Sequence, residues 1–177
     1  MRKVVIVISL IISFFLIFFL QTNIFASFTI AGIMPNLFVI YILFIGLFAN
    51  QFLGILFGVI CGLILDLLYG QAIGVSAVMF CTIGYLGAYF DKNFSKENKF
   101  TILLMVVGAT AIFEMGKYFI SSIILNYSRE YINFCKILIV EIIYNVLLTI
   151  ILYPIIQKLG YIVDRTFKRN NILTRYF

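Results

Sequence analysis

The 177-residue chain contains no histidine, the side chain that most often serves as a general base or a zinc ligand. The H-E-x-x-H zinc motif is therefore excluded, and no G-x-S-x-G elbow, P-loop or G-x-G-x-x-G fingerprint occurs. Only one aspartate, Asp66, lies within an apolar run, so an intramembrane aspartyl dyad is excluded as well. The sequence predicts that the protein is not an enzyme and binds no metal or cofactor.

Charged residues are scarce too. They make up 11% of the chain, against 64% hydrophobic residues, and the mean hydropathy is +1.15. A soluble domain carries roughly a quarter charged residues. The composition therefore predicts an all-α integral membrane protein with a single membrane domain, because nearly the whole chain is needed for spans of about 20 residues each.

Six apolar runs divide the chain, separated by short polar or glycine-rich segments, and a basic tail follows at residues 157–177. The second run is short for a span, so it is expected to tilt, to pair tightly with the third run, or only to re-enter the membrane. The preferred interpretation is six transmembrane helices in one bundle. The expected spans are residues 4–20, 36–49, 52–69, 75–90, 100–125 and 137–156.

The cations are unevenly distributed about these spans. Six spans place both termini and the 91–99 loop on one side, which then carries ten of the thirteen Lys and Arg residues. Because cytoplasmic segments are enriched in Lys and Arg, both termini are expected to be cytoplasmic. The same rule accounts for the net charge of +6, so nucleic acid is not expected as a partner. If residues 36–49 only re-enter, five spans remain and the termini lie on opposite sides.

Residues 54–74 hold six positions at four-residue steps. On a helix such a step advances about 400°, so these positions form a slowly drifting ridge. Glycine on the ridge lets another helix backbone approach closely in a bilayer. Two more glycines follow in the next span. The predicted helix-packing or partner-binding positions are Gly54, Gly58, Gly62, Asp66, Gly70, Gly74, Gly84 and Gly87.

Four ionisable residues lie within apolar runs, where charges are costly and often functional. Helix rise places Asp66 and Glu114 about 21 Å along their helices, Lys117 one turn further, and Glu141 roughly 7–10 Å below the outer interface. All four are expected in the outer half of the bilayer as an intramembrane polar cluster. Glu114 and Lys117 can also pair directly, being three residues apart. The cluster could hold helices together, bind a ligand or ion, or contact another protein.

Three stretches carry a family resemblance. The first is residues 32–37, Gly-Ile-Met-Pro-Asn-Leu. The second is the glycine series that runs to Asp66 and on through Gly84-Tyr85-x-Gly87. The third is Tyr144-Asn145, followed by Tyr153-Pro154 and the basic tail. In this order the stretches resemble the rod-shape-determining protein MreD family of bacteria, with Asn36 where the family usually has an acid.

The resemblance implies a non-enzymatic, multi-pass protein of the bacterial cell membrane that takes part in cell-shape determination. It also implies a fold similar to the substrate-binding subunits of energy-coupling-factor transporters. The implied partners are an MreC-like bitopic protein, the actin-like protein MreB, and glycosyltransferase and transpeptidase partners of peptidoglycan synthesis.

Two functional hypotheses follow. In the first, the protein is a scaffold that presents a surface, such as the glycine ridge, to the transmembrane helix of an MreC-like partner. In the second, it is a substrate-binding membrane subunit for a small solute or a lipid-linked precursor, which the polar cluster would hold. The basic side could also contact anionic lipid headgroups or a cytoplasmic filament protein.

Overall fold

The computed structural model describes residues 2–69, 72–96, 98–125 and 131–167. They form six α-helices, and the first continues into a π-helical turn, Leu20–Ile24. Within these ranges β structure is confined to an isolated bridge between Ile30 and Ile33. The all-α prediction is therefore confirmed. The helices are α1 Arg2–Phe19, α2 Leu37–Phe48, α3 Gln51–Tyr69, α4 Val75–Asn93, α5 Lys99–Leu125 and α6 Tyr131–Phe167.

Among the described residues, four helical segments are long and apolar enough to cross a membrane, namely Lys3–Ile24, Gln51–Tyr69, Lys99–Ile124 and Tyr131–Phe167. Helix α2 has only 12 residues. It therefore rises about 18 Å, short of a hydrocarbon core of about 30 Å. Helix α4 is the least apolar of the six. The count of six spans stays a prediction.

Helix α2 lies at the centre of the bundle and packs against α3, α4, α5 and α6. Every residue of α2 except Tyr41 is buried, as expected for a helix that is apolar on all sides. Its first turn is capped by the Asn36 side chain, which accepts a hydrogen bond from the Val39 amide at 3.3 Å. The Asn50 side chain then caps α3 by accepting from the Leu53 amide at 2.8 Å.

Helix α1 packs more loosely and leaves most of its apolar side chains exposed. Its main anchor is Phe14, whose ring centroid lies 5.8 Å from that of Phe38 on α2. Next to this contact, the hydroxyl of Ser13 on α1 lies 3.0 Å from the hydroxyl of Tyr41, which is one turn after Phe38 on α2. The outward faces of α3 and α6 are similarly apolar, which suits contact with lipid.

The observed helices begin and end within a few residues of the expected spans, except for α6. This helix runs from Tyr131 to Phe167 through Pro154, whereas the expected span covers 137–156. Its C-terminal extension is stabilised by packing against α2. The Phe48 ring lies over Gly160, where an added Cβ would approach it to 2.7 Å, and its centroid is 6.2 Å from that of Tyr161. Part of the expected tail 157–177 is therefore helical, and residues 168–177 lie outside the described ranges.

Candidate functional site

A cavity of about 570 Å³ opens at one end of the bundle, between the π-helical turn, the 25–36 segment, the α3–α4 connection, α5 and α6. All four members of the polar cluster predicted from the sequence line it. Apolar side chains, including Phe38, Phe80 and Phe113, form most of the remaining wall. The polar residues that line the cavity include Gln21, Thr22, Asn36, Asp66, Ser76, Glu114, Lys117, Ser121 and Glu141.

Asp66 is buried and serves as the cap of the neighbouring helix α4. Its Oδ2 accepts hydrogen bonds from the amides of Gly74 at 2.8 Å, Ser76 at 3.0 Å and Ala77 at 3.4 Å. Gly74 has no side chain with which to cap α4, and it adopts a φ of +100° that glycine accommodates without strain. A carboxylate from α3 therefore accepts hydrogen bonds from the free N–H groups at the start of α4. Its negative charge also interacts favourably with the positive end of the α4 dipole.

One carboxylate oxygen of Glu141 on α6 has no hydrogen-bond partner among the described residues. The side chain is 95% buried, and within the described part of the chain no group hydrogen-bonds its Oε1. Glu114 and Lys117 on α5 are the charged groups that act on it electrostatically. A buried carboxylate oxygen without a hydrogen-bond donor is costly, so the pairing of these three side chains is incomplete.

Lys117 does not complete that pairing. Its Nζ lies 5.6 Å from the centroid of the Phe113 ring on the same helix. Both ion pairs within 4.0 Å among the described residues involve Lys96, so the direct Glu114–Lys117 pair anticipated from their spacing is not formed. The structure thus brings the four predicted residues to one cavity, with Asp66 engaged by backbone and the other three facing the cavity.

A second polar group, which sequence reasoning missed as a site, lies beneath the cavity around Asn145. This fully buried side chain accepts from the Asn36 amide at 2.8 Å and donates to the Thr110 hydroxyl at 3.0 Å. Thr149 donates to the Asn145 carbonyl oxygen at 2.7 Å. The network joins α2, α5 and α6. The sequence signal for this network is one uncharged amide, Asn145, in the middle of an apolar run. Hydropathy alone does not distinguish such a residue from other polar residues of a membrane span.

The 25–36 segment forms one wall of the cavity and is held at both ends. Gln21 donates to the Pro35 carbonyl at 2.6 Å and accepts from the Leu37 amide at 3.0 Å. Tyr144 on α6 donates to the Phe28 carbonyl at 2.7 Å. At the tip, the amides and carbonyls of Ile30 and Ile33 exchange two hydrogen bonds around a two-residue turn with positive φ angles.

The glycines of α3 face α4 and α2 within the chain. A Cβ at Gly54 would lie 2.7 Å from the Gly84 carbonyl oxygen and 2.8 Å from the Gly46 Cα. At Gly58 and Gly62 it would collide with the backbone of α4, and at Gly87 with the backbone of α2. Helices α2, α3 and α4 therefore meet backbone to backbone. Gly74 begins α4, and Gly70 lies outside the described residues.

A second cavity, an apolar groove of about 490 Å³, lies between α1 on one side and α2 and α6 on the other. It shares no lining residue with the polar cavity. On α6 the lining residues recur at spacings of three and four, which is one face of a helix. They are Leu148, Ile151, Leu152, Ile155, Ile156, Leu159, Gly160 and Val163.

At the opposite end of the bundle, Lys96 in the α4–α5 connection joins two helices. Its Nζ lies 2.8 Å from Asp91 on α4 and 2.6 Å from Asp164 on α6. Nζ is also 5.3 Å from the centroid of the Phe48 ring. Burial by itself lowers the pKa of Lys96, but the two carboxylates outweigh it, so the pKa lies above its ordinary value.

Neither a curated protein nor a solved structure matches the chain. A family model does match it: that of rod shape-determining protein MreD, over residues 1–163. The match covers all six helices to within a few residues of the end of α6. It confirms the resemblance carried by the proline, glycine and tyrosine motifs. The chain belongs to the MreD family of rod shape-determining membrane proteins.

Proposed function

We propose that the protein is a non-enzymatic scaffold of the cell-shape machinery, and that its apolar groove holds the transmembrane helix of an MreC-like bitopic partner. The family gives the chain a role in rod-shape determination, and it is not a known enzyme family. The observation that carries the proposal is the groove itself. It is apolar, lies among α1, α2 and α6, and is separate from the polar cavity.

The dimensions of the groove fit one helix. Its α6 face, from Leu148 to Val163, extends about 22 Å, most of a hydrocarbon core of about 30 Å. Ile151, Ile155 and Leu159 on this face are 69%, 57% and 59% exposed. Because lipid tails are as apolar as these side chains, a partner helix is held there by close packing rather than by exclusion of water.

The glycine ridge is not the partner surface in this proposal. Gly54, Gly58 and Gly62 are covered by α4 and α2, so a partner could reach them only by displacing part of the bundle. Their close packing supports the scaffold role indirectly, because it holds α2 as one rigid wall of the groove.

Site-specific photo-crosslinking tests the partner surface. A photoreactive residue at position 151 or 155, both within the groove, should crosslink to the transmembrane segment of a co-expressed MreC-like protein. Positions 143 and 162 are matched controls, since Ile143 and Ile162 are on the same helix, 53% and 59% exposed, and outside the groove. Equal crosslinking at all four positions would show that the groove is not the docking surface.

A mutational test uses the same design. The triple variant Ile151→Ala, Ile155→Ala and Leu159→Ala should reduce co-purification of the partner and impair rod shape, while the protein itself still folds. The control triple Ile143→Ala, Ile150→Ala and Ile162→Ala removes similar apolar volume from lipid-facing positions of α6 outside the groove. It should retain the complex. Loss of the complex in both triples would contradict the proposal.

The end of the bundle that carries Lys96 is the cytoplasmic end in this proposal, with both termini on that side. The positive-inside pattern of the sequence supports the assignment. This face would meet anionic lipid headgroups and the cytoplasmic actin-like protein MreB, while the bilayer-embedded body helps organise glycosyltransferase and transpeptidase partners of peptidoglycan synthesis. Reporter fusions to the two termini test the orientation, and opposite compartments for the two reporters would overturn it.

A further inference from the structure

The polar cavity contains a charge arrangement that the scaffold role does not use. Glu141 is 95% buried, lines the cavity, and has an Oε1 that no described residue hydrogen-bonds. Glu114 and Lys117 line the same cavity without an ion pair between them. With Asp66 engaged by the α4 amides, the remaining three side chains carry one ammonium and two carboxyl groups.

We propose that this cavity binds an organic ammonium group, with Glu141 and Glu114 as its hydrogen-bond acceptors. An ionised Glu141 requires a donor and a positive charge, because an unpaired buried carboxylate is strongly disfavoured. When both carboxyl groups are ionised, they exceed the Lys117 cation by one negative charge, which a monovalent ammonium neutralises. The N–H groups of that ammonium supply the donor that Oε1 lacks.

The cavity has the size and access that such a ligand needs. Its volume of about 570 Å³ falls within the range of small-molecule sites, roughly 300–1,000 Å³. The aromatic walls, including Phe80 and Phe113, suit the apolar part of an amine-bearing molecule. Its exposed lining residues include Met34 and Tyr69, at the end of the bundle opposite Lys96. The ligand therefore enters from the face that the orientation above places outside the cytoplasm.

Organic ammonium groups have two sources at this face: a free amine in solution, or the headgroup of an aminophospholipid such as phosphatidylethanolamine. Both present the same N–H donors and the same charge. Binding of either is independent of the apolar groove, because the two cavities share no lining residue. Failure of this inference would therefore leave the scaffold proposal standing, and the reverse is also true.

The test uses the full chain in detergent and three matched four-carbon probes: n-butylamine hydrochloride, 1-butanol and sodium butyrate. The amine should raise the midpoint of thermal unfolding, because a ligand that binds the folded state stabilises it, while the alcohol and the anion should not. Glu141→Gln should weaken amine binding about tenfold or more, since it removes a charge-assisted hydrogen bond. Asp164→Asn, a carboxylate outside the cavity, should leave amine binding unchanged.

Lys117→Met supplies a readout with the opposite sign, because removal of the competing cation should tighten amine binding. The variant also keeps the proposal testable if Glu141→Gln fails to fold. Nanodiscs of phosphatidylethanolamine or phosphatidylcholine distinguish the sources. If the ligand is a headgroup, native mass spectrometry should retain one phosphatidylethanolamine on the wild type and none on Glu141→Gln, and n-butylamine should displace it.

If the ligand is a free amine, no lipid should be retained and n-butylamine should stabilise the protein in both lipids. The proposal is overturned if butanol or butyrate stabilises the protein as much as the amine. It is also overturned if the amine has no effect, if Glu141→Gln responds like the wild type, or if Lys117→Met weakens amine binding.

Discussion

Replacement of Gly58 by alanine should destabilise the protein by about 2 kcal/mol, because α3 and α4 are in backbone contact at this position. An alanine Cβ would lie 2.7 Å from the Phe80 carbonyl carbon and 2.9 Å from the Cys81 nitrogen, and it would overlap the Phe80 carbonyl oxygen. Ordinary contact begins near 3.4 Å. Backbone atoms cannot rotate away as a flexible side chain can, so the two helices must separate by roughly 1 Å.

The magnitude follows from two costs and one gain. A gap of about 0.5–1 Å forfeits a quarter to a half of the dispersion energy between the separated atoms. Insertion of extra methyl groups into a packed interior typically costs about 1–3 kcal/mol, and a contact between two backbones belongs at the upper end of that range. Alanine favours the helical state over glycine by about 1 kcal/mol, which offsets part of the cost.

The free energy of unfolding, measured by titration with sodium dodecyl sulfate in mixed micelles, checks the prediction. Gly108→Ala on α5 is the matched control, because a Cβ there meets nothing within 4 Å. That control should stabilise the protein by about 0.5–1 kcal/mol. The reasoning is refuted if Gly58→Ala is as stable as Gly108→Ala. If it instead leaves stability unchanged but abolishes the complex with a partner, the ridge faces that partner.

Three further predictions concern the polar contacts. Asp66→Ala should cost about 2–3 kcal/mol of unfolding free energy, since it leaves the first amides of α4 unsatisfied, and Asp66→Asn should cost less; equal losses would contradict the capping role. Asn145→Ala should cost about 2–3 kcal/mol in the same titration by orphaning buried partners on α2 and α5, and a neutral result would show that the network is dispensable. The raised pKa of Lys96 means that its ion pairs with Asp91 and Asp164 stabilise the fold below its ordinary value of 10.5 and that this contribution is lost as pH rises through the folded-state pKa. The stability difference between wild type and Lys96→Met should therefore be constant below the ordinary pKa of 10.5 and shrink as pH rises above it, and a difference that stays constant at higher pH would refute the linkage.

Local sequence was sufficient to predict the class of the protein and most of its helices. Scarce charge and long apolar runs predict membrane helices because each span must satisfy its own backbone within lipid. The first five helices lie within a few residues of the expected spans. The sixth helix extends beyond the expected span at both ends. Its C-terminal extension could not be predicted, because the packing of Phe48 on Gly160 and the ion pair of Lys96 with Asp164 depend on residues far apart in the chain.

For the polar cluster too, local sequence predicted the position of the residues but not their contacts. Helix rise alone placed Asp66, Glu114, Lys117 and Glu141 at similar depth, and the structure brings all four to one cavity. Their roles could not be read from depth. A carboxylate that caps a neighbouring helix and one that has an unpaired oxygen have the same local sequence signature, an acid in an apolar run. Asn145 was missed for a related reason, since its partners lie on other helices.

The sequence by itself determined that the chain is an all-α membrane protein of the MreD family, because composition, periodicity and the order of short motifs are properties of the linear chain. The tertiary structure decided what each motif contacts. It placed α4 over the glycines of α3, set Asp66 against the amides of α4, and left Oε1 of Glu141 without a hydrogen-bond partner among the described residues. These pairings depend on which helix faces which, and that choice comes from the packing of all six helices together.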